Sequence, residues 1–91
     1  MSHTIRNKDK LLARVRRIRG QVEAIERALD AQEDCYRVLQ TVAAARGALN
    51  GLMGEIVADH VASHLAAPDL APEDRAADAA RLVDIIKSFI K

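Results

Sequence analysis

The chain has 91 residues, too few for two ordinary domains. Its apolar fraction of 49% is too high for a disordered chain, and two Pro and four Gly exclude a collagen-like or linker-like one. The formal net charge of +1 hides a division: residues 1–27 carry eight Lys/Arg against three Asp/Glu, and residues 28–91 carry six against ten. The N-terminal segment is therefore the part suited to an anion.

Aromatic residues make up only 2% of the chain, while Ala, Leu, Arg, Glu and Asp abound, so helix is favoured over sheet. One Cys excludes an intramolecular disulfide framework. No apolar stretch approaches the roughly 18 residues of a membrane span, and the opening MSHTIRNKDK does not read as a secretory signal. The expectation is one all-α domain over residues 1–91, in a reducing cytoplasm and away from membranes. A chain this short buries a limited core, so oligomerisation is expected to complete it.

Helix 1 is expected over about residues 5–30. Leu11, Val15, Ile18, Val22, Ile25 and Leu29 repeat in steps of four and three, and Thr4 offers an N-cap. The acidic joint DAQED follows. Helix 2 is expected from about 33 to 66, along a stripe of Cys35, Val38/Leu39, Val42, Ala45, Leu49, Leu52/Met53, Ile56, His60 and His64. Gly47, Gly51 and Gly54 interrupt its middle, each costing about 1 kcal/mol relative to Ala. Either the helix breaks there, or Gly47 and Gly51 let a second backbone approach; the unbroken apolar period favours close approach. Pro68 ends helix 2 and Pro72 suits the first turn of helix 3, expected over about 72–90 with Ala76, Ala79, Val83, Ile86 and Ile90 on one face.

His60 and His64 stand one turn apart on one helix face, a spacing that lets two imidazoles hold one ion but that ordinary surface or core histidines also show. Cys35 lies about 37 Å away along a straight helix, so one chain cannot bring it to them. If two copies of helix 2 pack antiparallel and cross near residue 49, Cys35 falls opposite the partner's histidine pair. The crossing then coincides with the glycines. His3 sits in a short tail that either can reach the same site with the chain's amine, which belongs to Ser2 once Met1 is removed, or leaves His3 an ordinary surface residue. A thiolate with imidazoles and an amine suits Ni(II), Co(II) or Zn(II) and suits Mg(II) or Ca(II) poorly.

On helix 1, Lys10, Arg14 and Arg17 share a face, flanked by Arg16 and Arg19. This density suits phosphate contacts, although a solvated helix face has the same composition. Without aromatics for base stacking, binding would rest on charge and DNA shape and depend strongly on salt.

RVRRIRGQVEAIER, the lone Cys in EDCYRVLQTVAAARGALNGLM, and His60 late in the same helix resemble the CsoR/RcnR/FrmR family of small bacterial repressors over nearly the whole chain. The resemblance implies a three-helix subunit with a long central helix, an antiparallel dimer and a dimer-of-dimers tetramer. It also implies operator DNA bound in the apo state and released by an inducer. Copper sensors of the family have a second Cys where this chain has His64, and formaldehyde sensors have Pro where it has Ser2. The nickel/cobalt branch has the pattern His3, Cys35, His60 and His64, and the opening SHTIR is similar to it, whereas RVRRIRGQ is similar to the formaldehyde branch. Arg14 and Arg17 match the family's DNA-contacting positions. The expected function is a cytoplasmic nickel/cobalt-responsive repressor of a metal exporter. The alternatives are a formaldehyde-responsive repressor using Cys35 and a metal-storage protein without an operator. No substrate pocket or oxyanion-hole motif points to an enzyme.

Overall fold

The apolar spacing of the first half becomes a helical hairpin. The computed structural model describes residues 7–90: α1 spans Lys8–Asp30, α2 Cys35–His60 and α3 Pro72–Phe89, with no strand among the described residues. The all-α, three-helix expectation holds. Residue 5 as the start of helix 1, and Thr4 as its cap, lie outside the described residues.

The joint between α1 and α2 is built from backbone hydrogen bonds. Gln32 N–H donates to the Leu29 carbonyl (3.1 Å) and Glu33 N–H donates to the Ala28 carbonyl (3.0 Å). These two bonds form a Schellman closure, which needs a left-handed residue just past the helix end. Gln32 fills that position at φ 54°, where Gly is the usual occupant. Asp34 then caps α2 by accepting the Tyr36 N–H at 3.2 Å.

α2 runs unbroken through Gly47, Gly51 and Gly54, so the helix does not break at the glycines. Within one chain the close neighbour is also not a second backbone. A Cβ on Gly51 would lie 2.9 Å from Arg14 Nη1, and nothing stands within 4 Å of the equivalent point on Gly47. Gly51 makes room for a guanidinium of α1.

After His60 the helix continues as a π-helical turn, Val61–Leu65, in which Ala66 N–H reaches the Val61 carbonyl five residues back (2.9 Å). Helix 2 was expected to run to about residue 66 as a single α-helix; its last turn is instead wider. Arg75 of α3 closes this end. Its Nε donates to the Leu65 carbonyl (3.0 Å), and its Nη2 to those of Ala67 (2.6 Å) and Leu70 (3.3 Å). A cation on these carbonyls also suits the negative end of the helix dipole. Pro72 opens α3, as expected from its sequence position, after an extended Ala71.

The chain has little interior. Among the described residues, the buried hydrophobic ones are Leu11, Ile18, Ala28 and Ala45. α2 covers one edge of the α1 stripe, Leu11 and Ile18, and leaves Val15, Val22 and Leu29 exposed. Leu39, Val42 and Leu49 of α2 are exposed as well. The expected face of α3 is only partly covered: Ala79 and Ile86 are half-buried, but Ala76, Val83 and Ile90 face solvent. Asp78, Leu82 and Ile85 turn towards α2 instead. The chain measures 54 × 29 × 13 Å with a radius of gyration of 17.1 Å. A compact chain of this length would have about 12 Å. It is a thin plate with apolar side chains uncovered.

The left-handed Gln32 generates a prediction. Gln32→Gly is expected to stabilise the chain by about 1 kcal/mol, because it removes the steric cost of the Cβ. Denaturant unfolding of the two proteins checks this; a lower midpoint for the Gly variant would mean that the Gln32 side chain contributes a contact of its own.

Candidate functional site: metal centre and basic face

His60 closes the last turn of α2 and His64 lies in the π turn, so their shared face survives the change of helix type. Their ring centroids are 5.1 Å apart and tilted by 42°. A third donor comes from α3. Asp78 Oδ2 lies 2.7 Å from His60 Nε2, and Asp78 Oδ1 lies 4.0 Å from His64 Nε2. One donor atom from each of His60, His64 and Asp78 can be chosen with all three within 4.8 Å of one another. Two imidazoles and a carboxylate fit a borderline divalent ion such as Zn(II), Co(II) or Ni(II).

Electrostatics sets the tautomer. The hydrogen bond from His60 holds the Asp78 carboxyl below its ordinary range, and the charges of His60, His64 and Arg81 add to this against partial desolvation. An ionised carboxylate only accepts hydrogen bonds. Nε2 of His60 is therefore the donor, and only with the ring neutral does its Nδ1 have a lone pair to offer. Hydrogen-bonded in this way, Asp78 stands behind the imidazole, fixing its orientation and raising its basicity; as a direct donor to the ion it would give up this hydrogen bond. The surroundings reinforce the pair: a cleft of about 350 Å³ between α2 and α3 is walled by Met53, Ile56, Val57, Leu82 and Ile85, with His60, Asp78 and Arg81 as its polar members.

Cys35 is exposed at the opposite end of α2, whose 26 residues put about 37 Å between Cys35 and His60. One chain therefore brings His60 and His64 together and leaves Cys35 apart. Ser2 and His3 lie outside the described residues.

The basic face divides into two groups. Arg16, Arg17 and Arg19 stand exposed on α1. Lys10 and Arg14 face α2, where Glu55 Oε1 lies 3.5 Å from Lys10 Nζ and 3.3 Å from Arg14 Nη2.

Asp78 and Arg75 were not singled out from the sequence. The separation of 18 residues between His60 and Asp78 crosses a joint, so no fixed spacing marks it. The available signal is a lone carboxylate inside the alanine run RAADAAR. A carboxylate in such a run either faces solvent or has a specific partner.

A fold of three helices with a histidine pair at the end of the longest one and a basic first helix also describes a known family. A family model described as metal-sensitive transcriptional repressor matches residues 7–88, and the chain belongs to this family. Its members are repressors, not enzymes. A Serratia marcescens protein, named only for its place in the bioA 5′ region, is 53% identical over 91 residues, 100% of both chains. The transcriptional repressor RcnR of Escherichia coli K12 is 56% identical over 50 residues, 55% of this chain and 56% of that one. The match to RcnR thus spans about half of each protein. Among solved structures, a Glu-to-His variant of the formaldehyde-responsive regulator FrmR from Salmonella enterica serovar Typhimurium superposes with a TM-score of 0.84 at 46% identity, covering 93% of this chain and 96% of that one. No helix among the described residues is long and apolar enough to cross a membrane.

The His60–Asp78 pair generates the second prediction. Asp78→Asn keeps the shape and removes the charge, and is expected to weaken Ni(II) and Co(II) binding about 10- to 100-fold. Competition with a chromophoric chelator measures this; unchanged affinity would show that Asp78 neither orients His60 nor donates to the ion.

Proposed function

We propose that this chain is a nickel- or cobalt-responsive transcriptional repressor that holds operator DNA without metal and releases it on metal binding. The observation that carries this reading is the convergence of His60, His64 and Asp78 in a member of the metal-sensitive repressor family. The resemblance of His3, Cys35, His60 and His64 to the nickel/cobalt branch supports the choice of metal, and Zn(II) fits the same donors.

In this reading the uncovered stripe of Val15, Val22 and Leu29 on α1, with Leu39, Val42 and Leu49 on α2, is covered by a second copy. Antiparallel pairing of the α2 helices lays Cys35 of one copy against His60 and His64 of the other, and two dimers form a tetramer. His3 and the Ser2 amine complete the donor set. Cys35 binds as thiolate and the histidines bind neutral, so affinity falls in acid. Lys10, Arg14, Arg16, Arg17 and Arg19 contact phosphate, multiplied by the copies in the tetramer. His3 precedes the start of α1 at Lys8 by five residues in the sequence. Fixing His3 and the amine at the site therefore constrains the helix that carries these cations. Coupling of this kind is typically about 1–3 kcal/mol, a 5- to 150-fold loss of DNA affinity. The protein acts in the cytoplasm and controls a metal exporter.

The test is fluorescence anisotropy with a labelled fragment from upstream of the gene. Reduced apo protein is bound first, and Ni(II), Co(II), Zn(II) and formaldehyde are titrated separately. Release by Ni(II) or Co(II), lost in Cys35→Ala, is the expected result. Release by formaldehyde alone would move the protein to the aldehyde-responsive branch, and metal binding without any DNA binding would leave a storage role. Light scattering should give a mass of at least two chains at micromolar concentration; a monomer would refute the shared site.

A further inference from the structure

Glu55 stands on α2 between the basic face and the histidine pair. Its Oε1 serves two cations at once, Arg14 Nη2 at 3.3 Å and Lys10 Nζ at 3.5 Å. The Arg14 contact is also a hydrogen bond between partly buried groups. The guanidinium is further seated by Gly51, one turn before Glu55, because any Cβ there would lie 2.9 Å from Arg14 Nη1. A glycine that leaves room and a carboxylate that receives the charge together make a seat for Arg14 on the protein itself. An Arg and a Lys one turn apart are also a fitting pair for a DNA phosphate, and they would use the same N–H donors for it.

We infer that Glu55 is an internal competitor of the DNA phosphate, holding Lys10 and Arg14 on the protein and so setting how tightly the duplex is gripped. This rests on the DNA-binding role proposed above. Glu55 is well placed to pass the state of the histidine pair to the basic face. α2 is continuous from Glu55 to His60, a rise of about 7.5 Å, so a rotation or shift of the His60 end carries the carboxylate with it. A carboxylate pressed towards α1 keeps the two cations from DNA, and one drawn away releases them. Arg16, Arg17 and Arg19 are exposed and are not held by this seat.

The experiment compares the full-length wild type with Glu55→Gln, Glu55→Asp, Glu23→Gln, Arg14→Ala and the Glu55→Gln/Arg14→Ala double variant. Each is titrated against the upstream fragment and a random-sequence duplex over a range of salt. Glu23 is exposed on α1, so Glu23→Gln makes the same change in net charge away from the seat. Glu55→Gln is expected to tighten binding to both duplexes about two- to fivefold, the range that an ion pair of this exposure can hold back. The salt dependence should steepen by up to about one further counterion. Most of the gain should vanish when Arg14 is Ala, and Glu23→Gln should gain less. Glu55→Asp, which shortens the side chain by one methylene and keeps the charge, is expected to release Arg14 in part and tighten binding to a smaller extent. A Glu55→Gln protein that binds no more tightly than wild type or Glu23→Gln overturns the role of Glu55 while leaving the repressor reading intact. Wild type that binds neither duplex, or a Glu55→Gln/Arg14→Ala protein that binds as tightly as Glu55→Gln, overturns the DNA role of Arg14 and the competition with it.

Discussion

The placement of the third helix depends on one guanidinium. Arg75 gathers the carbonyls of Leu65, Ala67 and Leu70 across a widened helix end and a proline-containing joint, adding to the single backbone bond that Leu70 N–H makes to Ala67. This anchors the start of α3 over the end of α2. Asp78 lies three residues further along, about one turn, and is thereby delivered to His60. A cleft separates α3 from α2 beyond the pair, so the attachment is concentrated at this end. The Arg75 bonds to the backbone thus help to hold in place the carboxylate that meets His60.

The two regions with functional chemistry share a single rigid element. α2 presents Glu55 to the cations of α1 and, just over one turn later, His60 to Asp78. A change felt at the histidines has little helix to cross before it reaches the basic face, and no glycine intervenes after Gly54. The Glu55 contacts with Lys10 and Arg14 are partly exposed ion pairs, which are weak and easily exchanged. That combination, a stiff connector with a labile end at the basic face, is suited to a response that must reverse.

Much of this was legible in the sequence, because helix periodicity and proline position are local signals. The steps of four and three from Leu11 to Leu29 mark α1, and Pro68 and Pro72 bracket the second joint. Spacing alone also shows that His60 and His64 share a face and that Cys35 cannot join them within one chain. The phase of α3 was harder to read. Its first turns are mostly alanine, which is apolar enough to sit inside and small enough to sit outside, so Val83, Ile86 and Ile90 suggested a face that turns Asp78 aside. The pairing of Asp78 with His60 depends on where the joint aims the helix, and that rests on Arg75 and a wider helical turn. Gly51 was legible as a site of close approach, but what approaches it in the chain is the Arg14 side chain. Lys10 and Arg14 read as a free basic face because their counter-charge, Glu55, is 41 residues from Arg14 in sequence.

The uncovered apolar plate has a consequence for how much of the protein a cell must keep. The few hydrophobic residues buried among the described ones contribute little against the conformational entropy lost on ordering the chain. If the exposed stripes of α1 and α2 are covered by other copies, folding and assembly become one equilibrium, and stability rises with the amount of protein present. Dilution alone would then empty the folded state and leave chains open to proteolysis. A repressor with such a threshold cannot be held at an arbitrarily low copy number; below it, regulation would fail for want of folded protein, whatever the inducer concentration.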